Sequence, residues 1–77
     1  MSNLSNDKLL ELTDETLSWG REIADLWTGT LYEKQIDMQI KSVERSLEHK
    51  DLEKVRTLVY DLARFLDHAE KEYNEGI

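Results

Sequence analysis

At 77 residues, with 39% apolar and 35% charged side chains, the chain is long enough for one small domain whose core lies near the lower limit of sufficiency. It has no cysteine, which excludes a disulfide staple or a thiolate metal site, and no run approaches the ~20 apolar residues of a membrane span. The net charge of −7, from 17 acidic against 10 basic side chains, argues against direct nucleic-acid binding, which takes a basic face that displaces counterions from phosphates.

The opening "MSNLSNDKLLEL" has neither a basic n-region nor an apolar block, so it does not read as a signal peptide. A cytoplasmic chain is expected. Proline is absent and glycine occurs at Gly20, Gly29 and Gly76 alone. No alternating β-branched run or Asn-Gly turn marks a strand, and apolar residues recur at helical spacing almost from end to end.

A first helix is expected over about residues 7–28. Ser5, Asn6 or Asp7 can cap it, and Asp7, Glu11, Asp14 and Glu15 place negative charge near its positive end. Leu9, Leu12, Thr16, Trp19, Ile23 and Leu26 are spaced to share a face, which Leu10, Leu17, Ala24 and Trp27 widen. Gly20 inside this pattern is out of place on helix propensity, at a cost of about 1 kcal/mol relative to alanine, and points to a close neighbour or a local bend. Gly29 sits where a left-handed helix end is wanted.

A second helix is expected over residues 31–48. Thr30 and Glu33 have capping-box spacing, and Tyr32, Ile36, Ile40, Val43 and Leu47 form one narrow stripe. The pattern stops at "EHKD" and resumes with Leu52, Val55, Val59, Leu62, Leu66, Ala69 and Tyr73, broadened by Leu58 and Phe65. That predicts a third helix over about 52–73 with Asp51 as its N-cap. Short connections between long helices favour antiparallel neighbours, so the expected fold is all-α, an up-down-up three-helix bundle filling residues 1–77 as a single domain. Dimerisation is a natural way to enlarge so small a core.

Charge is uneven along this plan. Residues 1–29 carry six acidic and two basic groups, residues 30–50 four of each, and residues 51–77 seven and four. Solubility explains most of this; a surface that attracts a basic protein is the sharper reading.

His49, with Glu48 and Asp51 beside it, reads as a turn rather than a metal site, because nearly consecutive side chains at a helix break diverge while zinc needs converging ligands. His68 and Glu72, four apart on a polar side, read as a solvated pair. There is no serine elbow, cysteine nucleophile or glycine-rich phosphate loop, so no enzyme, metal or cofactor is expected. Trp27 and Tyr32 flank the first turn, where a tapering bundle has difficulty covering rings. As an exposed aromatic pair beside acidic groups they are the candidate protein-binding residues. Gly29, Thr30, Glu33 and Asp51 are assigned structural roles as caps.

"IDMQIKSVERSLEHKDLEKVRTLVYDLARFL" resembles the C-terminal helical lid subdomain of Hsp70 (DnaK-type) chaperones. The likeness lies in an amphipathic helix (Ile36, Ile40, Val43, Leu47), the turn Glu48-His49-Lys50-Asp51, and a second amphipathic helix (Leu52, Val55, Leu58, Leu62). "DETLSWGREIADL" resembles the end of the long lid helix before it, so the likeness spans about residues 14–66. It implies an excised or stand-alone lid-like bundle, chaperone-related, that acts by packing against protein partners. No catalytic residue carries over, because the family's ATPase residues lie outside the matched region. The competing expectation is a small acidic inhibitor or decoy, such as an immunity protein, antitoxin or anti-defence factor, that occupies a basic protein surface.

Overall fold

In the computed structural model, which describes residues 5–76, the chain forms three helices: α1 (Asn6–Leu26), α2 (Leu31–Glu48) and α3 (Leu52–Glu75). The fold is all-α, with no strand among the described residues. Residues 1–4 and 77, which the expected domain includes, lie outside the described part. Every pair of helices is in contact. The Cα trace measures 39 × 26 × 15 Å, so the core is thin and lies between the helices along their length.

Each helix begins on a side-chain cap. The Ser5 hydroxyl accepts from the Lys8 amide at 3.2 Å, Thr30 from the Glu33 amide at 3.4 Å, and the Asp51 carboxylate from the Lys54 amide at 3.2 Å. Each satisfies an amide that has no partner within the first turn. Glu33 also reaches back, to the amide of Gly29 at 2.7 Å rather than to that of Thr30. The Thr30 amide is already donated to the Trp27 carbonyl at 3.0 Å.

Two helix bounds differ from the sequence pattern. α1 stops at Leu26, short of residue 28, because Trp27 leaves helical geometry as the C-cap and Gly29 turns the chain at φ +84. At the other end of the chain α3 continues to Glu75, past Tyr73 at the end of the apolar stripe, since Asn74 and Glu75 are exposed and apolar periodicity cannot register them.

The larger difference is the rotation of α1. Its buried residues are Leu9, Thr13, Thr16, Leu17, Gly20, Ile23 and Ala24. Leu12 and Leu26, expected in the core, are each 43% exposed, as is Leu10. Two facts explain why α1 turns this way. Thr13 and Thr16 tolerate burial because their hydroxyls donate to the carbonyls of Leu9 and Leu12 at 2.7 and 2.8 Å, leaving no unpaired polar group. Gly20 lets α1 approach its neighbours: a Cβ at that position would lie 3.1 Å from Ile40 Cδ1 and 3.6 Å from Leu66 Cδ1. Of the two explanations for Gly20, close approach is therefore the one observed. The remaining core comes from Ile36, Ile40 and Val43 of α2 and Val55, Val59, Leu62, Leu66 and Ala69 of α3. No described helix is long and apolar enough to cross a membrane.

Candidate protein-binding surface

The α1–α2 turn folds its aromatic residues onto the C-terminal half of α3. The Trp27 indole lies 4.5 Å from the Tyr32 ring and 5.8 Å from Tyr73, centroid to centroid, and its N–H donates to the Ala69 carbonyl at 3.2 Å. Tyr32 continues the cluster to Phe65 at 5.5 Å and to His68 at 6.5 Å. These tilted and edge-on arrangements suit the ring quadrupoles. Trp27 and Tyr32 are thus brought together, but half-buried, where the sequence suggested an exposed pair. α3 outlasts α1 and covers the turn.

The Tyr32 hydroxyl donates to Glu72 Oε1 at 2.8 Å. Its pKa is raised above the ordinary 10.0, first by this hydrogen bond, then by burial and by the negative charge of Glu72. All three favour the neutral phenol. The other Glu72 oxygen is 3.8 Å from His68 Nε2, and both side chains are largely exposed. This contact is weak by its geometry.

At the opposite turn, His49 is the exposed C-cap of α2. Lys50 adopts φ 57, its amide donates to the Leu47 carbonyl, and the Asp51 amide donates to the Ser46 carbonyl, each at 3.0 Å. This is a Schellman termination with lysine in the left-handed position that glycine normally fills. Among the described residues, no three histidine or carboxylate side chains converge in a way that could hold a metal ion.

What the sequence pattern missed is the outer side of α1 and α3. Leu9, Leu12 and Thr16 form one wall of a groove whose other wall is Arg56, Val59, Tyr60 and Ala63. Tyr60 is 64% exposed. The Arg64 guanidinium lies 5.9 Å from the Tyr60 ring centroid, and Arg56 Nε is buried with no hydrogen-bond partner among the described residues. The anomaly of Gly20 was the available signal. Whichever face holds a mid-helix glycine is the closely packed one, and that places Leu12 and Leu26 off it. Leu31 and Met38 on α2 are also exposed, at 76% and 69%. The rest of the outward side of α1 is mainly acidic, since Asp7, Glu11, Asp14, Glu15, Glu22 and Asp25 are all exposed against Lys8 and Arg21. This surface offers apolar contact, carboxylates and two guanidinium groups.

Compared with known proteins, the chain matches no family model, no curated protein and no solved structure.

Proposed function

We propose that this chain is a non-enzymatic helical protein-interaction module that binds a protein partner through the outer side of α1 and α3. The observation that carries this reading is the placement of Leu12 and Tyr60 outside the core, on the two walls of one groove. Helical chains of this size have few apolar residues to spare, and exposed apolar side chains clustered beside a groove and rimmed by charge are a common form of binding surface. The likeness to the Hsp70 lid subdomain supports the same mode of action, packing without bond chemistry.

The arrangement proposed for the module is an up-down-up three-helix bundle. Three α1–α3 neighbours keep nearly constant sequence separation: Leu9 shares a groove with Arg56, Gly20 faces Leu66, and Trp27 meets Tyr73. Along α2 the order runs the other way, with Tyr32 bonded to Glu72 and Ser42 beside Leu58.

Photo-crosslinking from position 60, compared with an exposed polar position such as 37, tests the module reading. Partner crosslinks specific to position 60, lost in Leu12→Asp, are expected. Equal labelling from both positions would remove the reading.

The acidic outward side of α1 favours a second reading, an inhibitor or decoy for a basic protein. Affinity for such a partner would fall steeply with added salt, whereas apolar docking would change little.

A further inference from the structure

We infer that a second copy of this chain docks across the α1–α3 groove, with a two-fold axis running along the groove, so that Glu11 and Glu15 of each copy face Arg56 and Arg64 of the other. This pairing rests on the interaction-module reading and names its partner.

The groove is self-complementary. One lip is the α1 ridge of Lys8, Glu11, Leu12 and Glu15; the other is the α3 ridge of Arg56, Tyr60 and Arg64, four residues apart. The groove lining brings residues 9–16 level with residues 56–63, so both ridges stand at the same height. Rotation by a half-turn about the groove axis exchanges the lips without changing height. Glu11 and Glu15 then meet Arg56 and Arg64 twice, with Lys8 at the end of the α1 lip beside its own Glu11, and Leu12 and Tyr60 of the two copies meet between them.

Neither Arg56 nor Arg64 belongs to an ion pair among the described residues, whereas Arg21 is held by Glu44 at 2.9 Å. Glu15 likewise has no basic partner there, and Glu11 has only Lys8, at 3.8 Å on an exposed surface. Charge also limits where two copies can touch. Each bears −7, and most of the outward side of α1 would repel its own kind. Farther along the same groove acids flank both helices, with Glu22 on α1 and Asp67 and Glu70 on α3. The stretch from Lys8 to Thr16 against Arg56 to Arg64 is where opposite charges and exposed apolar groups coincide.

Sedimentation equilibrium of the whole chain over a range of concentrations tests the pairing directly. The mass should rise from 9.1 kDa toward twice that value. Arg56→Glu with Arg64→Glu should remain monomeric, and so should Glu11→Arg with Glu15→Arg, each with native helix content by circular dichroism. An equimolar mixture of the two double variants should dimerise again, because both contacts are then restored with the signs reversed.

A native chain that stays at 9.1 kDa at every concentration overturns the pairing, as does self-association of either double variant or a mixture that stays monomeric. If the native chain is monomeric but position 60 still crosslinks a different protein, the pairing fails and the module reading stands.

Discussion

The indole N–H of Trp27 donates to the carbonyl of Ala69, 42 residues farther along the chain, at 3.2 Å. One side chain thereby ties the first turn to the last third of α3. Trp27→Phe keeps a ring in the cluster and loses this bond, so it should cost about 1 kcal/mol. Trp27→Ala should cost about 2–3 kcal/mol, because the ring is only half-buried. Urea unfolding followed by circular dichroism measures both. If Trp27 acts through this tie rather than as a contact for partners, a folded Trp27→Phe variant keeps every interaction of the native chain.

The α2–α3 turn yields three substitutions with different signs. Asp51→Ala removes the cap on the Lys54 amide and should cost about 1 kcal/mol. His49→Ala changes an exposed side chain with no hydrogen-bond partner among the described residues and should stay within about 0.5 kcal/mol. Lys50→Gly relieves a lysine held at φ 57 and should stabilise by about 0.5–1 kcal/mol. Thermal melts of the three variants would be enough to rank them, and a destabilised Lys50→Gly would show that the lysine stem contributes more than its strain costs.

Gly20→Ala sets helix propensity against crowding. Alanine favours the helix by about 1 kcal/mol, but its Cβ would lie 3.1 Å from Ile40 Cδ1, which must give way within a packed core. The two effects should nearly cancel, leaving a change below about 1 kcal/mol. In an Ile40→Val background the obstructing methyl is gone, and Gly20→Ala should then stabilise by about 1 kcal/mol. A double-mutant cycle reads that coupling.

Tyr32 should titrate above the ordinary tyrosine value of 10.0, and Glu72→Gln should bring it back toward that value, since both the hydrogen bond to the carboxylate and its charge are lost. The sign for stability follows from the raised pKa. The contribution of the Tyr32–Glu72 contact is complete below the unfolded tyrosine pKa and is lost as pH rises through the higher folded value. Phenolate absorbance across an alkaline titration distinguishes the two proteins.

The helical content was legible because each stripe of apolar residues runs for several turns and nothing in the chain competes as a strand. The caps were legible for a related reason: Thr30 and Asp51 each stand just before such a stripe begins, where a side-chain acceptor satisfies an amide freed at the helix start. The facing of α1 was not. Leu9, Thr16, Leu17, Ile23 and Ala24 lie on the expected face, but its centre is shifted onto Thr13 and Gly20, a hydroxyl-bearing residue and a glycine that hydropathy alone does not assign to a core. Leu12 and Leu26 then look like core by default. The aromatic end was half legible. Adjacency to the turn placed Trp27 and Tyr32 together, but their cover comes from Phe65, Ala69 and Tyr73, and no local pattern shows which distant turn of α3 lies over them.

Asp51 closes one helix with its amide and opens the next with its carboxylate, which leaves the joint between α2 and α3 without slack. A residue added there either breaks the Asp51 bonds that close α2 and cap α3 or, if both are kept, rotates α3 by about 100° about its axis. Such a rotation would carry Leu62 and Leu66, now fully covered, toward solvent and bring charged side chains inward. The spacing between Ser46 and Asp51 is therefore as much a part of the fold's specification as the identity of any residue within it. Length variation between related chains should be excluded from this joint.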